Sequence, residues 1–400
     1  MPSRDGHAAG LKTAGMLACS GYNKPSDAMK FTIDRGVLLK ALTHVQSVVE
    51  RRNTIPILAN VLIRANDGGV ELAATDMDIS VVERARADVT QHGATTVSAH
   101  TLFDIVRKLE EGAQIELGGG SEEGQLALRS GRSTLKLATL ASEDFPVMSD
   151  DDMPHSFTLA VSALRGLIDR TRFAISTEET RYYLNGIYLH AVAGDGGKQL
   201  RAVATDGHRL ALMQVPLPAG ADGMPGVIVP RKTVNELRKL IDEAETDVAI
   251  SLSDTKIRFA VDGIVLTSKL IDGTFPDYDR VIPDANDKFL EVSCKRFERA
   301  VDLVSTISTE KSRAIKLSLT DDSLVLSATS PDAGSATEEL EVDYNDGALE
   351  IGFNSRYLID ITQQIQGDSA RFALSDAASP TLVRDTADAS ALYVLMPMRV

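Results

Sequence analysis

KFTIDRGVLLKALTHVQSVV (30–49), SFTLAVSALRGLIDRTRFAI (156–175) and KFLEVSCKRFERAVDLVSTI (288–307) are three versions of one pattern, a short strand running into an amphipathic helix. Aligning Phe31, Phe157 and Phe289 gives spacings of 126 and 132 residues, so the repeat is domain-sized. The block that follows also recurs. LANVLIRANDGGVELAATDMDISV, LNGIYLHAVAGDGGKQLRAVATDGHRLAL and AIKLSLTDDSLVLSATSPDAGSA each carry two alternating apolar and polar runs around an Asp/Gly-rich turn, a hairpin signal. A second strand–helix unit comes next each time: TVSAHTLFDIVRKLEEG, VIVPRKTVNELRKLIDE and IGFNSRYLIDITQQIQG. Each repeat closes on further strands: LKLATLASEDFPVM, VLTSKLIDGTFPDY and LYVLMPMRV.

Helix starts agree in type. Asp34, Ser98, Ser162, Ser293 and Asn354 stand where an N-cap oxygen accepts the free N–H groups of a first turn. Pro230 suits the first helical position, where no N–H is needed. Leu38, Leu42, Val45 and Val49 share one face of the first helix. Two helices with one apolar face each, plus many strands, imply an α+β repeat with helices laid on one side of antiparallel sheet. The expected domains are 29–150, 155–282 and 287–400, joined by polar, Pro-bearing links near 148–154 and 283–287. Residues 1–28 lack apolar periodicity and the apolar centre of a signal peptide, and are expected to be a disordered extension or tag.

The chain has 400 residues, 43% hydrophobic and 25% charged, an ordinary globular composition. No run of 18 apolar residues could cross a membrane as a helix, so no membrane partner is expected. Cys19 and Cys294 are too few for a disulfide framework or a zinc site, which points to a cytoplasmic protein. The net charge of −15 argues against a polyanionic partner, but the charge is segregated. The six expected helices (35–52, 99–109, 162–176, 231–242, 293–313 and 354–366) hold 19 Lys/Arg and 9 Asp/Glu, a net of +10; everything else carries −25. Helices lining one shared concave face would make that face positive and the outside negative. Sequence-independent attraction to a phosphate backbone needs no more.

The motifs MKFTIDRGVLLKAL (29–42), RYYLNGI (181–187), ATDGHRLAL (204–212), VIVPRK (227–232), TSKLIDGTFPDYDRVIP (267–283) and YVLMPMRV (393–400) together resemble the bacterial DNA sliding clamps, the beta subunits of the replicative DNA polymerase III holoenzyme. The resemblance spans 29–400. It implies three clamp domains per chain, with antiparallel sheets outside and two helices each inside, closing as a six-domain ring in a head-to-tail homodimer. Duplex DNA would thread the ring without sequence specificity. Implied partners are the polymerase catalytic subunit, the clamp loader, other polymerases, mismatch repair proteins and ligase. No cofactor, metal or chemistry of its own is implied, and the setting is the cytoplasm and nucleoid.

Residue by residue, the resemblance places a partner-peptide pocket at Leu184, Thr205, Gly207, His208, Arg209 and Leu210, with Pro276, Arg280 and Val281 from a connector. Val394, Met396, Pro397, Met398 and Arg399 complete it from the C-terminus. For DNA it implies Arg52, Arg181, Tyr182, Tyr183, Arg231, Lys232, Lys311 and Arg313. Glu178 is acidic where phosphate favours a neutral residue, and is expected to face away. For the ring interface it implies Arg129, Arg132, Leu135 and Leu137 facing Ile307, Glu338, Glu339 and Leu340. Val400 stands where the family often has Leu, and the Ser379–Pro380 loop departs from the family form.

Other readings have less behind them. His208 beside Asp206 could suggest a hydrolase, yet no Gly-x-Ser-x-Gly elbow is present. Gly118–Gly120 is followed by no Lys-Ser/Thr of a phosphate loop. The seven His residues have no ligand spacing within a helix. A purely structural repeat protein would leave the basic helices and the Met-Pro-Met terminus without a reason.

Overall fold

The computed structural model describes residues 29–120, 124–148, 152–194, 197–308 and 313–400. The expectation for residues 1–28, and Lys311, lie outside them. Among the described residues, six α-helices occur, two per repeat: α1 Arg35–Gln46, α2 Ala99–Lys108, α3 Val161–Asp169, α4 Arg231–Leu240, α5 Cys294–Ser305 and α6 Ser355–Thr362. They pack as the pairs α1 with α2, α3 with α4, and α5 with α6. None is long and apolar enough to cross a membrane.

The helix starts follow local chemistry. Asp34 Oδ1 accepts from the N–H groups of Gly36 and Val37, Ser98 caps Thr101, and Asn354 caps Arg356. Three expectations need correction. The cap of α3 is Ala160, so Ser162 lies inside the helix. Pro230 is the cap of α4 and Arg231 its first residue. Ser293 occupies the cap of α5 without a side-chain bond. Every helix ends before the limit read from the sequence, α2 by one residue, α4 by two and the others by four or more. The basic bias survives this trimming: the six observed helices hold 13 Lys/Arg and 6 Asp/Glu.

The repeat alignment also shifts. Phe31 and Phe157 are buried, and each stands three residues before a helix cap. In the third repeat that position belongs to Leu290, fully buried and three residues before Ser293, while Phe289 is half exposed. The strand register agrees: Phe31 faces Leu117, Phe157 faces Ile250 and Leu290 faces Phe372. Alternation along a strand allows one inward face only, so aligning Phe289 put the third copy one residue out of register.

Among the described residues, strands form three antiparallel sheets of thirteen, eight and four. Two of them run through domain boundaries. Strand Ile79–Ala85 of the first repeat pairs with Ile264–Lys269 of the second. Strand Arg209–Pro216 of the second pairs with Ala391–Leu395 of the third. The largest apolar cluster runs through all three repeats, between the helix pairs and the sheets they pack on.

The corrected register makes a direct prediction. Leu290→Ala should lower stability by about 2–5 kcal/mol, as buried Leu truncations do, whereas Phe289→Ala should stay within about 0.5 kcal/mol. Denaturant melts of the two variants check it.

Candidate functional site

A single turn design occurs twice, at the two internal junctions. In Thr205–Arg209, Thr205 Oγ accepts from Gly207 N and donates to Arg209 O, and Asp206 Oδ1 accepts from His208 N and Arg209 N. In Thr75–Ile79 the same four bonds form: Thr75 Oγ accepts from Met77 N and donates to Ile79 O, and Asp76 Oδ1 accepts from Asp78 N and Ile79 N. The third residue has positive φ in both, +88° at Gly207 and +79° at Met77. The next strand then crosses to the last strand of the following repeat. Met396 N bonds His208 O at one junction and Lys269 N bonds Asp78 O at the other.

The two junctions are finished differently. At the first, Lys232 of α4 bonds Asp76 at 2.5 Å and Glu50 at 3.3 Å, and Lys269 pairs with Asp78 at 3.0 Å. Burial works against the charged Lys232 ammonium, but its bonds to Asp76 and Glu50 outweigh this and raise its pKa. Lys232, expected to meet DNA, is thus a tie between repeats one and two. At the second junction Gly207 has no side chain, and any Cβ there would collide with the Arg181 guanidinium. His208 is exposed on the rim.

Behind this turn lies a separate apolar cluster: Leu184, Val203, Leu210, Leu212, Ile228, Phe275, Tyr278 and Val394. The connector from Leu270 folds over it. Phe275 stacks on Tyr188 with ring centres 4.8 Å apart, and the Tyr278 hydroxyl meets His190 Nε2 at 2.9 Å. The structure therefore brings Leu184, Leu210 and Val394 together, with Thr205, Gly207 and His208 on their rim. Pro276, Arg280 and Val281 sit exposed on the connector, where Arg280 pairs with Asp277. Met396 and Pro397 continue past His208, and Met398 N bonds Gly352 O at 2.8 Å. Met398, Arg399 and Val400 border a further cavity of about 910 Å³ with Lys316, Glu350 and Gly352.

Arg209 does not join that cluster. It precedes Leu210 on a strand, so it points to the opposite face. There its Nε bonds Asp206 at 3.1 Å, Nη1 bonds Asp360 of α6 at 2.5 Å, and Nη2 bonds Phe173 O at 2.6 Å. Its guanidinium also lies over Tyr357 and Phe173, at 4.2 and 5.1 Å. A second tie crosses nearby: buried Arg170 donates to Asp388 at 2.6 Å and to Ser390 at 3.1 Å. Both are buried charges held by several partners, so breaking either is costly.

The remaining DNA candidates are spread along the helix side. Arg52, Tyr182, Arg231 and Arg313 are exposed, and Tyr183 is partly covered. Arg181 is committed: it donates to both Glu178 oxygens at 2.8 and 2.6 Å and to Asp206 O. Glu178 therefore does not face away; it neutralises Arg181, whose hydrogen bonds hold its carboxyl below the usual range.

Among the described residues, several strands are paired on one side only, and two of them hold residues implied for the ring interface. Ser133–Ala138 pairs only with Gln125–Ser130, and Gly334–Glu341 pairs only with Ser323–Ser330. The first carries Lys136 with Arg129 and Arg132 beside it; the second carries Glu338, Glu339 and Glu341 and no cation. Leu137 and Leu340 point into the core rather than outward, while Leu135 and Ile307 are partly covered. Arg129 is already paired with Glu116 at 2.9 Å.

Comparison with known proteins decides what this arrangement is. The N-terminal, central and C-terminal domain descriptions of the DNA polymerase III beta subunit match residues 29–149, 158–277 and 279–399. The chain belongs to the DNA polymerase III beta subunit family. The beta sliding clamp of Caulobacter vibrioides is 52% identical over 372 residues, covering 93% of this chain and all of that one. The beta sliding clamp of Escherichia coli K12 is 39% identical, again over 93% of this chain and all of the relative. A solved clamp from Bartonella birtlesii bound to griselimycin, 52% identical, superposes with a TM-score of 0.90 over 93% of this chain and all of that one. The chain functions as a DNA sliding clamp, and this family works as processivity factors rather than catalytic enzymes.

Reading the clamp from sequence missed Phe173, Tyr357, Asp360, Arg170 and Asp388, which join its second and third domains. The i,i+4 spacing of Arg356 and Asp360 on one helix face was the visible signal, but their cross-domain partner was not.

Asp388 gives a pH test of this junction. Burial raises its pKa, but hydrogen bonds from Ser390 and Arg170 overcome that and hold it at about 2. A depressed carboxylate contributes stability that is complete above its unfolded value near 4 and is lost as pH falls through about 2. Asp388→Asn should therefore cost about 1–2 kcal/mol at pH 7, allowing for the part of the carboxylate that water reaches. Melts from pH 7 down to 2 should show the gap to the parent chain narrowing below pH 4.

Proposed function

We propose that two copies of this clamp close head to tail, and that each copy offers one partner groove at its second junction. Two of the one-sided strand edges, opposite in charge, support the ring reading. Gly334–Glu341 is acidic, the region around Ser133–Ala138 is basic, and an unpaired edge seeks a partner strand. Opposite charges on the two ends favour head-to-tail over head-to-head pairing and fix register more than affinity. Leu137 and Leu340 would back the joint from within the cores, while Leu135, Ile307, Arg129, Arg132, Glu338 and Glu339 would face across it. The domain limits in this reading are 29–150, 155–282 and 287–400.

Duplex DNA would pass along the helix side, where the net charge is positive, with Arg52, Tyr182, Tyr183, Arg231 and Arg313 presented to phosphates. Lys311 belongs to the same proposal by resemblance. Retention by a closed ring needs no tight contact, and diffuse phosphate attraction permits sliding. In this reading the chain has no catalytic site of its own and needs no cofactor.

The partner groove would lie over Leu184, Leu210 and Val394, with His208 and Gly207 on one rim, Pro276, Arg280 and Val281 on another, and Met396–Arg399 across the end. Apolar walls with a few polar fixers suit a short peptide carrying apolar anchors, and Met adapts to several such peptides. Arg209 would hold the rim in place from behind rather than touch the peptide. Partners in this reading include the polymerase catalytic subunit, the clamp loader, other polymerases, mismatch repair proteins and ligase, all in the cytoplasm at the nucleoid.

Removing Met396–Val400 should abolish binding of a clamp-binding peptide from the cognate polymerase while leaving the dimer mass unchanged. Fluorescence anisotropy with light scattering reads both. Normal peptide affinity in the truncated chain would place the groove elsewhere.

A further inference from the structure

The helix side of the second junction holds a cavity of about 630 Å³ whose walls include five arginines: Arg172, Arg209, Arg231, Arg313 and Arg356. Three acids also line it, and each is already bonded to an arginine, Asp206 and Asp360 sharing one. Glu178 takes a two-point bond from Arg181, while Asp206 and Asp360 are both bonded to Arg209. With Asp360 held by Arg209 at 2.5 Å, Arg356 is left at 3.9 Å from the same carboxylate and stays well exposed. Arg172 reaches Asp169 only at 3.3 Å, a carboxylate that Arg238 holds more closely at 2.7 Å.

The first junction shows what the same framework does when it is closed. There Lys232, two residues after the α4 cap as Arg356 is two after the α6 cap, bonds Asp76, the counterpart of Asp206. At the second junction Arg209 has taken that aspartate, so the helix cation is spared. The cleft also adjoins Arg313, whose carbonyl accepts from Ser355 N at the start of α6.

We infer that this cleft is a phosphate-binding seat for the duplex backbone, with Arg172 and Arg356 as its principal contacts. The inference rests on the reading that DNA runs along the helix side. Neither arginine was expected from the sequence. Both are long, exposed guanidiniums, suited to bidentate contact with a phosphate that carries no base information. A seat at the second junction but not the first would make the clamp hold DNA off-centre, nearer the domains that carry the partner groove.

The test is equilibrium binding of a short fluorescent duplex to the full chain across a salt series. Each phosphate contact contributes about 0.9 to the slope of log affinity against log salt. Arg172→Gln with Arg356→Gln should weaken binding roughly equally for unrelated sequences and flatten the slope by about 2. Both changes keep the Arg209–Asp360 bond, and unchanged dimer mass and melting temperature would verify this. Arg52→Gln, in the first domain, serves as the comparison and should flatten the slope by about 1. A flattened slope with Arg52→Gln but not with the double variant would overturn the cleft inference and leave DNA on the helix side. An unchanged slope in both would overturn the helix-side reading itself.

Discussion

Backbone pairing across domain boundaries is the constraint on which the rest of this molecule depends. Ile79–Ala85 is bound to Ile264–Lys269, and Arg209–Pro216 to Ala391–Leu395, so three repeats share sheets rather than merely touching. Each crossing fixes the strand register between neighbours, and one residue of slip would turn every side chain to the wrong face. The helices are thereby held on one side of a continuous wall. Among the one-sided edges that remain, one basic and one acidic suit a second copy.

The same turn begins both crossings, and its uses diverge through a few residues. At the first, Lys232 and Lys269 fasten it to its neighbour. At the second, Arg209 satisfies the turn's own aspartate and Asp360 together, which leaves Gly207 and His208 at the surface. Repetition supplies the framework, and ion pairing decides which copy stays open. The buried arginines at the open junction are anchored by several bonds each, so the opening does not come from looseness.

Much of this was legible in the chain. Periodicity, turn chemistry and caps such as Asp34 and Asn354 gave the repeat and its helices, because they depend on neighbours in sequence. That Leu184, Leu210 and Val394 come together in one cluster was legible because their motifs are distinctive. Ion pairing was not, since it depends on distant partners. Lys232 reads as a free cation until Asp76 and Glu50 are brought to it from the first domain, and Arg181 until Glu178 folds back. Arg209 reads as pocket wall until strand alternation turns it toward α6. Phe289 misled for a related reason: two adjacent apolar residues leave the inward face undecided until the opposite strand selects Leu290.

The central claim is that the two free edges join. The most direct measurement is the absolute mass in solution, taken with small-angle X-ray scattering at several concentrations. The account predicts twice the 43.0 kDa chain mass and the pair-distance distribution of a hollow ring. A monomer throughout the micromolar range, or a compact dimer with no central void, would contradict it.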